Sequence, residues 1–283
     1  MRQISRLLWF GAASCCLGLM LLGAGCGDGS AVKLSEDSHQ FAYPAGPGDR
    51  QLSEDPADPR IYRASTRCTS GSTALGSSSV AYAATVIEQA VVRAKPRDGA
   101  PEVAPIRPLD SRGLPEVVAV IGVRSSGACA AAWYRVRLSV LPNGTTGWVR
   151  ASAVKTYRVQ SRIVIDLSQR HLRLFRSGKL AFEASVAVGS SATPTPRGHY
   201  FVNERYVLPD ASGPFGPNAL GISAHSNALQ DSWVENGPIA IHGTNEPGSI
   251  GTAASHGCIR IANNMMRLMF PLAPAGTPVI VKA

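Results

Sequence analysis

The feature that most limits how this chain can fold is the brevity and strict alternation of its apolar runs. From Arg162 onward the sequence reads Ile163-Val164-Ile165-Asp166-Leu167, then His171-Leu172-Arg173-Leu174-Phe175, and after the turn Ser177-Gly178-Lys179 it continues from Leu180 to Val188. Apolar residues at 172, 174, 180, 182, 186 and 188 fall on one side of successive antiparallel strands, the pattern of a sheet buried on one face. Twenty-eight glycines and 20 prolines interrupt the chain too often for an all-helical bundle. Their sum still lies below the share that marks a low-complexity chain, and 45% hydrophobic residues supply a core, which excludes a mostly disordered protein. The expected fold is mainly β, and 283 residues suit two folded units.

The second β region extends through His199 to Val207, a Gly/Pro/Asn-rich loop over Pro209–Asn218 that could act as a lid, Ile239 to His242, and a last strand from Pro278 to Lys282. A short helix over 264–270 is expected, with Asn263 as its cap. Upstream, β-type runs at Val86–Val92, Val117–Val123, Tyr134–Val140 and Gly147–Val149 are punctuated by Pro101, Pro105, Pro108 and Pro142-Asn143-Gly144. They define a small β-barrel or sandwich over 85–157, in which Trp133 and Trp148 serve either as core or as a ligand surface. Residues 26–84 show neither a 2- nor a 3.6-residue period and read as a tether.

Arg2 and Arg6 precede an uncharged stretch from Leu7 to Leu22 ending in Gly23-Ala24-Gly25, so 1–25 is expected to be an export signal, with an uncleaved anchor as the alternative. Either outcome places the remainder outside the cytoplasm. The formal charge of +9 would attract any polyanion, but no Lys/Arg block with interleaved aromatics appears, and no nucleic-acid partner is expected. Leu22-Gly23-Ala24-Gly25-Cys26 resembles a bacterial lipoprotein processing site, which implies a lipid on Cys26 and attachment to the membrane. Three further cysteines then remain beyond the leader: Cys68 and Cys129, a candidate disulfide, and Cys258 as the odd thiol.

That thiol sits in the most informative stretch, Ile241-His242-Gly243-Thr244-Asn245-Glu246-Pro247-Gly248 followed by Ser255-His256-Gly257-Cys258-Ile259-Arg260. A cysteine beside an imidazole and exposed amides can supply a thiolate nucleophile, with Gly257 letting backbone approach the reacting carbon. On the residues alone, two other readings stay open. Cys258 could be a buried or bridged structural residue, or it could share a zinc ion with His242 and His256, although that spacing matches no common zinc motif.

The His-Gly and Ser-His-Gly-Cys elements, 16 positions apart from His242 to Cys258, resemble the L,D-transpeptidase (YkuD-type) catalytic domain. Val188-Gly189, Thr193-Pro194-Thr195-Pro196, Gly198, Gly213-Pro214-Phe215-Gly216 and Gly221-Ile222-Ser223 resemble its further signatures, over about 162–283. The resemblance implies a β-sandwich with one or two short helices, Cys258 as nucleophile and His242 as its base. It also implies that the Gly243 carbonyl orients His242, that amides around His256, Gly257 and Cys258 form the oxyanion site, and that Ser255, His256 and Arg260 shape the substrate pocket. His225 is expected at the surface, although it could approach the site. Neither a metal nor a cofactor is implied. The implied substrates are peptidoglycan tetrapeptide stems as donors and a neighbouring stem amine as acceptor, joined in a 3→3 cross-link through a thioester. The same chemistry could attach a wall protein or exchange a terminal D-amino acid; a non-catalytic wall-binding lipoprotein is the reading from another class. Trp133-Tyr134-Arg135-Val136-Arg137 with Thr146-Gly147-Trp148-Val149 resembles a bacterial SH3-like module, a family that often binds wall peptide.

Overall fold

Among the described residues, eight short strands build the first of two sheets: β1 (Ser72–Ala74), β2 (Ala81–Val86), β3 (Ala90–Arg93), β4 (Glu102–Ile106), β5 (Val117–Ser125), β6 (Ala131–Arg137), β7 (Thr146–Arg150) and β8 (Val154–Val159). The computed structural model describes residues 71–126, 130–226, 228 and 237–283. The order is β4-β3-β7-β6-β5-β2-β8, and β1 pairs with the part of β5 that runs past β2. Alternation turns Val92, Ile106, Val118, Val120, Tyr134, Val136 and Val149 into one buried cluster. Tyr134 and Val136 point inward along β6, so Trp133 and Arg135 lie on its other face, and on β7 the inward Gly147 and Val149 leave Trp148 on that face too.

The tether expected over 26–84 ends earlier than the sequence suggested, since β1 and β2 both belong to this sheet. Strand β2 has few branched residues and so carries little β signal. It is nevertheless hydrogen-bonded along both edges, to β5 and β8, with Ala83 and Ala84 completely buried. The proposed leader, the earlier part of the tether, Cys26, Cys68 and Cys129 lie outside the described residues.

Only Gln160 separates β8 from the second sheet, formed by β9 (Ser161–Asp166), β10 (His171–Arg176), β11 (Lys179–Gly189), β12 (Gly198–Val207), β13 (Asn218–His225), β14 (Pro238–His242), β15 (Ala253–Ser255), β16 (Ile259–Ile261) and β17 (Pro278–Lys282). The order β10-β9-β17-β12-β13-β14-β16-β11-β15 closes on itself because β10 also pairs with β11. The sandwich is therefore a closed ring of strands around Ile163, Ile165, Leu172, Leu174, Val186, Leu220, Ile241, Ile259 and Val279. Helix α1 (Asn263–Met269) seals it with Met266 and Met269.

The two sheets pack directly against each other. Phe201 is fully buried among Ala83, Val117, Ala119, Val159 and Ala275. Around this contact Asn143 grips the end of β13, donating from Nδ2 to the His225 carbonyl (2.7 Å) and accepting the His225 N–H (2.9 Å). Arg112 reaches Glu204 at 2.9 Å.

Candidate active site

Strands β14 and β16 run parallel, with Ile241 opposite Ile259 and His242 opposite Arg260. Extending that register by one residue sets Cys258 beside Ala240. Side chains alternate across a sheet, so Ile239, Ile241, Ile259 and Ile261 fill the core while Ala240, His242, Cys258 and Arg260 share the opposite face. The thiol and the imidazole thus sit on neighbouring strands, two positions apart, with no side chain larger than the Ala240 methyl beside the sulfur on β14. The sequence shows two motifs 16 residues apart; the parallel pairing is what makes them neighbours.

His242 is 3% exposed, and its Nδ1 lies 2.5 Å from the Gly243 carbonyl oxygen. A carbonyl can only accept, so Nδ1 carries the proton and Nε2 is left as a base. Burial lowers the His242 pKa to about 4, against the opposing pull of the Gly243 carbonyl, and the positive charge of Arg260 adds to the depression. The ring of Phe215 meets the imidazole edge-on, with centroids 5.0 Å apart. Cys258 is a free, half-buried thiol. Burial pushes its pKa up, while a backbone hydrogen bond with Ala240 and the charge of Arg260 pull the other way. At neutral pH both groups are therefore uncharged.

The turn before Cys258 is held from beneath. The Ser255 hydroxyl accepts from the Gly257 N–H (3.1 Å) and donates to the Cys258 carbonyl (2.5 Å). Gly257 has φ +115°, which a side chain would strain, and an added methyl would press on Ile239. The buried Thr195 hydroxyl donates to the Gly257 carbonyl (2.8 Å) and accepts from the Gly189 N–H (2.9 Å), tying this turn to the end of β11.

Two of the expected roles meet a different bonding pattern in the structure. Ser255 was expected to touch substrate, but it is 2% exposed and both capacities of its hydroxyl are used inside the turn. The Gly257 N–H, expected to help receive an oxyanion, already donates to Ser255. His256 is exposed, two residues before Cys258. Arg260 reaches the site's face but is ion-paired with Glu246 at 2.5 Å. His225 closes the far end of β13, opposite Pro238 rather than His242, and is half-buried against Asn143 instead of lying at the open surface. Among the described residues no three of His, Cys, Asp and Glu come together as a metal site.

Sequence reasoning also missed Asn263. Expected as a helix cap, it occupies the first turn of α1, whose cap residue is Ala262. Its side chain points away from the helix: Oδ1 accepts from the Thr244 N–H (2.7 Å) and Nδ2 donates to the Ala211 carbonyl (3.3 Å). The amide lies so close to Gly216 and Gly243 that a methyl on either would overlap it. Asn263 thus joins the His242-Gly243 strand end to the 208–217 loop that carries Phe215. Leu208 and Pro217 close that loop at its base with a 2.9 Å hydrogen bond. No sequence signal marks it: Gly216, Gly243 and Asn263 stand 27 and 20 positions apart, and no spacing rule reveals their proximity.

Residues 160–281 match the family described as the L,D-transpeptidase catalytic domain. A Bacillus licheniformis protein provisionally named L,D-transpeptidase YkuD is 37% identical over 120 residues, 42% of this chain and 64% of that protein. Its namesake in Bacillus subtilis is 31% identical over 125 residues, 44% of this chain and 68% of that protein. The chain thus spans slightly under two thirds of the first relative and slightly over two thirds of the second. Among solved structures, the catalytic domain of an E. faecium L,D-transpeptidase aligns over 43% of this chain and 96% of its own, at 23% identity and a TM-score of 0.33.

Proposed function

The chain belongs to the L,D-transpeptidase (YkuD) family, and from that premise we propose that its C-terminal domain transfers acyl groups between peptidoglycan stem peptides through a thioester on Cys258. The observation that carries this reading is a free thiol sharing one sheet face with an imidazole whose Nδ1 proton is committed to the Gly243 carbonyl. Nε2 of His242 takes the thiol proton as sulfur attacks the carbonyl of the third stem residue. With the Gly257 amide already occupied, the N–H groups of His256 and Cys258 are the candidates for holding the oxyanion, each such donor contributing about 10²- to 10³-fold. Collapse breaks the peptide bond, His242 returns the proton to the leaving amine, and D-Ala departs. An amine from a neighbouring stem then attacks the thioester, loses its proton to His242 and yields a 3→3 cross-link with the thiol restored. The bond broken supplies the acyl potential, so no nucleotide is consumed. Such a reaction suits an enzyme outside the cytoplasm, and in this reading the chain is held near the wall by a lipid on Cys26 or by an uncleaved anchor.

The test incubates the full chain with disaccharide tetrapeptide and follows products by mass spectrometry, beside Cys258→Ala. Release of D-Ala with dimer formation is expected, and neither with the variant. Equal activity in both would overturn the nucleophile. Release of D-Ala with water as sole acceptor, or with a free D-amino acid or a protein amine in place of the stem, would reassign the acceptor. An adduct of one carbapenem per chain, absent in Cys258→Ala, is expected from the same thiol.

A further inference from the structure

The outer face of the first sheet gathers basic and aromatic residues that the sequence keeps apart. Register sets Arg124 of β5 opposite Trp133 of β6, and Trp133 opposite Arg150 of β7. One step along, Gly122, Arg135, Trp148 and Arg93 follow one another across β5, β6, β7 and β3. Each tryptophan is thus flanked by arginines on both neighbouring strands, giving two parallel rows of Arg-Trp-Arg. With strands about 4.8 Å apart, the arginines of one row stand roughly 10 Å apart across their tryptophan.

The Arg150 guanidinium lies over the Trp133 ring, 4.6 Å from its centre, so Trp133 is covered while Trp148 stays half-exposed. Two of the four arginines are ion-paired, Arg93 with Glu102 and Arg150 with Asp98, while Arg124 and Arg135 are exposed and free of acidic partners among the described residues, Arg135 making one long hydrogen bond (3.4 Å) to the Thr146 hydroxyl. Arg137, further along β6, is half-buried, and its Nε is without a hydrogen-bond partner. Residues 71–159 hold eleven Lys and Arg against five Asp and Glu, two thirds of the net charge of the whole chain.

We propose that this face binds an acidic polysaccharide, with sugar rings against Trp148 and carboxylates or phosphates on Arg124 and Arg135. Arginine suits such groups because its planar fork matches their paired oxygens. The choice of a polysaccharide over a nucleic acid rests on the proposed wall function; the existence of the anion site does not. The module would then hold the enzyme on the charged polymer of the wall rather than on a stem peptide.

The experiment titrates the full chain with oligogalacturonate at low and moderate salt, beside neutral dextran and a single-stranded dT20. Saturable binding of oligogalacturonate that weakens with salt is expected. Arg124→Ala with Arg135→Ala should weaken it at least tenfold, and Trp148→Ala severalfold. Lys155→Ala with Arg107→Ala, which removes the same charge from exposed sites elsewhere on the module, should change it less than twofold. Equal weakening by both pairs would reduce the effect to net charge and overturn the site, as would dextran binding as tightly. Tighter binding of dT20 would overturn the polysaccharide. Cys258→Ala should bind as the parent does, so failure of the transpeptidase reading leaves this result standing, and the reverse.

Discussion

Replacing Ser255 by Ala separates a hydroxyl that organises the nucleophile turn from one that binds substrate. The hydroxyl satisfies two backbone groups, the Gly257 N–H at 3.1 Å and the Cys258 carbonyl at 2.5 Å, in a residue 2% exposed. Each orphaned buried group costs about 1–3 kcal/mol, so the variant should lose roughly 2–6 kcal/mol. For a domain of this size that lowers Tm by about 6–30 °C. Freed from its anchor, Gly257 lets the Cys258 amide swing, and the maximal rate of carbapenem acylation, read by intact mass, should fall at least tenfold. The concentration giving half that rate should move less than about threefold, because no contact with the ligand is removed. The opposite split would refute the argument: an unchanged Tm and maximal rate with a tenfold rise in half-saturating concentration would make Ser255 a substrate contact.

Asn263→Ala removes the bonds to Thr244 and Ala211 and should cost about 2–3 kcal/mol, slowing acylation as His242 and Phe215 lose their shared support; calorimetry and the acylation assay measure both. The His242 pKa is lowered to about 4 in the folded state, so between pH 6.5 and about 4 the unfolded chain binds the extra proton and stability falls as pH falls. Urea melts should show the parent losing up to ~3 kcal/mol more than His242→Gln across that window, and parallel curves would contradict the burial of the ring. Burial also raises the Cys258 pKa, so alkylation by iodoacetamide should climb with pH beyond the ordinary thiol range; an inflection near neutrality would reveal a preformed thiolate instead.

What could be read in advance follows the range of each interaction. Strands β9 to β11 were legible because alternation is local, and Cys258 and His242 stand out as candidates because Gly257, Ser255 and Gly243 lie within three positions of them in sequence. Strand β2 was missed because alanines signal burial weakly; the two edges that hold it come from residues some 35 and 75 positions away. Ser255 shows the limit of residue type, which says that a hydroxyl bonds something without saying whether that is backbone or ligand; here both of its bonds run to backbone. Asn263 was given a helix-cap role by the local rule, whereas tertiary contacts across 19 and 52 positions claimed its side chain. The Arg-Trp face was hidden for the same reason: its order runs across four strands, and a search along the chain crosses only two or three of its members at a time.

The neutral resting pair explains why these longer-range contacts matter to the proposed chemistry. With the imidazole pushed down and the thiol pushed up by burial, an ion pair is not the stable resting form, and sulfur becomes a strong nucleophile only while it transfers its proton. The imidazolium formed at that moment is buried beside Arg260, which disfavours it, and is supported by the Gly243 carbonyl at 2.5 Å. That support is useful only if the carbonyl stays in line with Nδ1. The Thr244 amide held by Asn263 follows directly from that carbonyl along the chain, so the position of the amide fixes the peptide plane that carries it. A loosened Asn263 would therefore be felt first in the proton transfer and only afterwards in substrate binding, a slower acylation at nearly constant half-saturation.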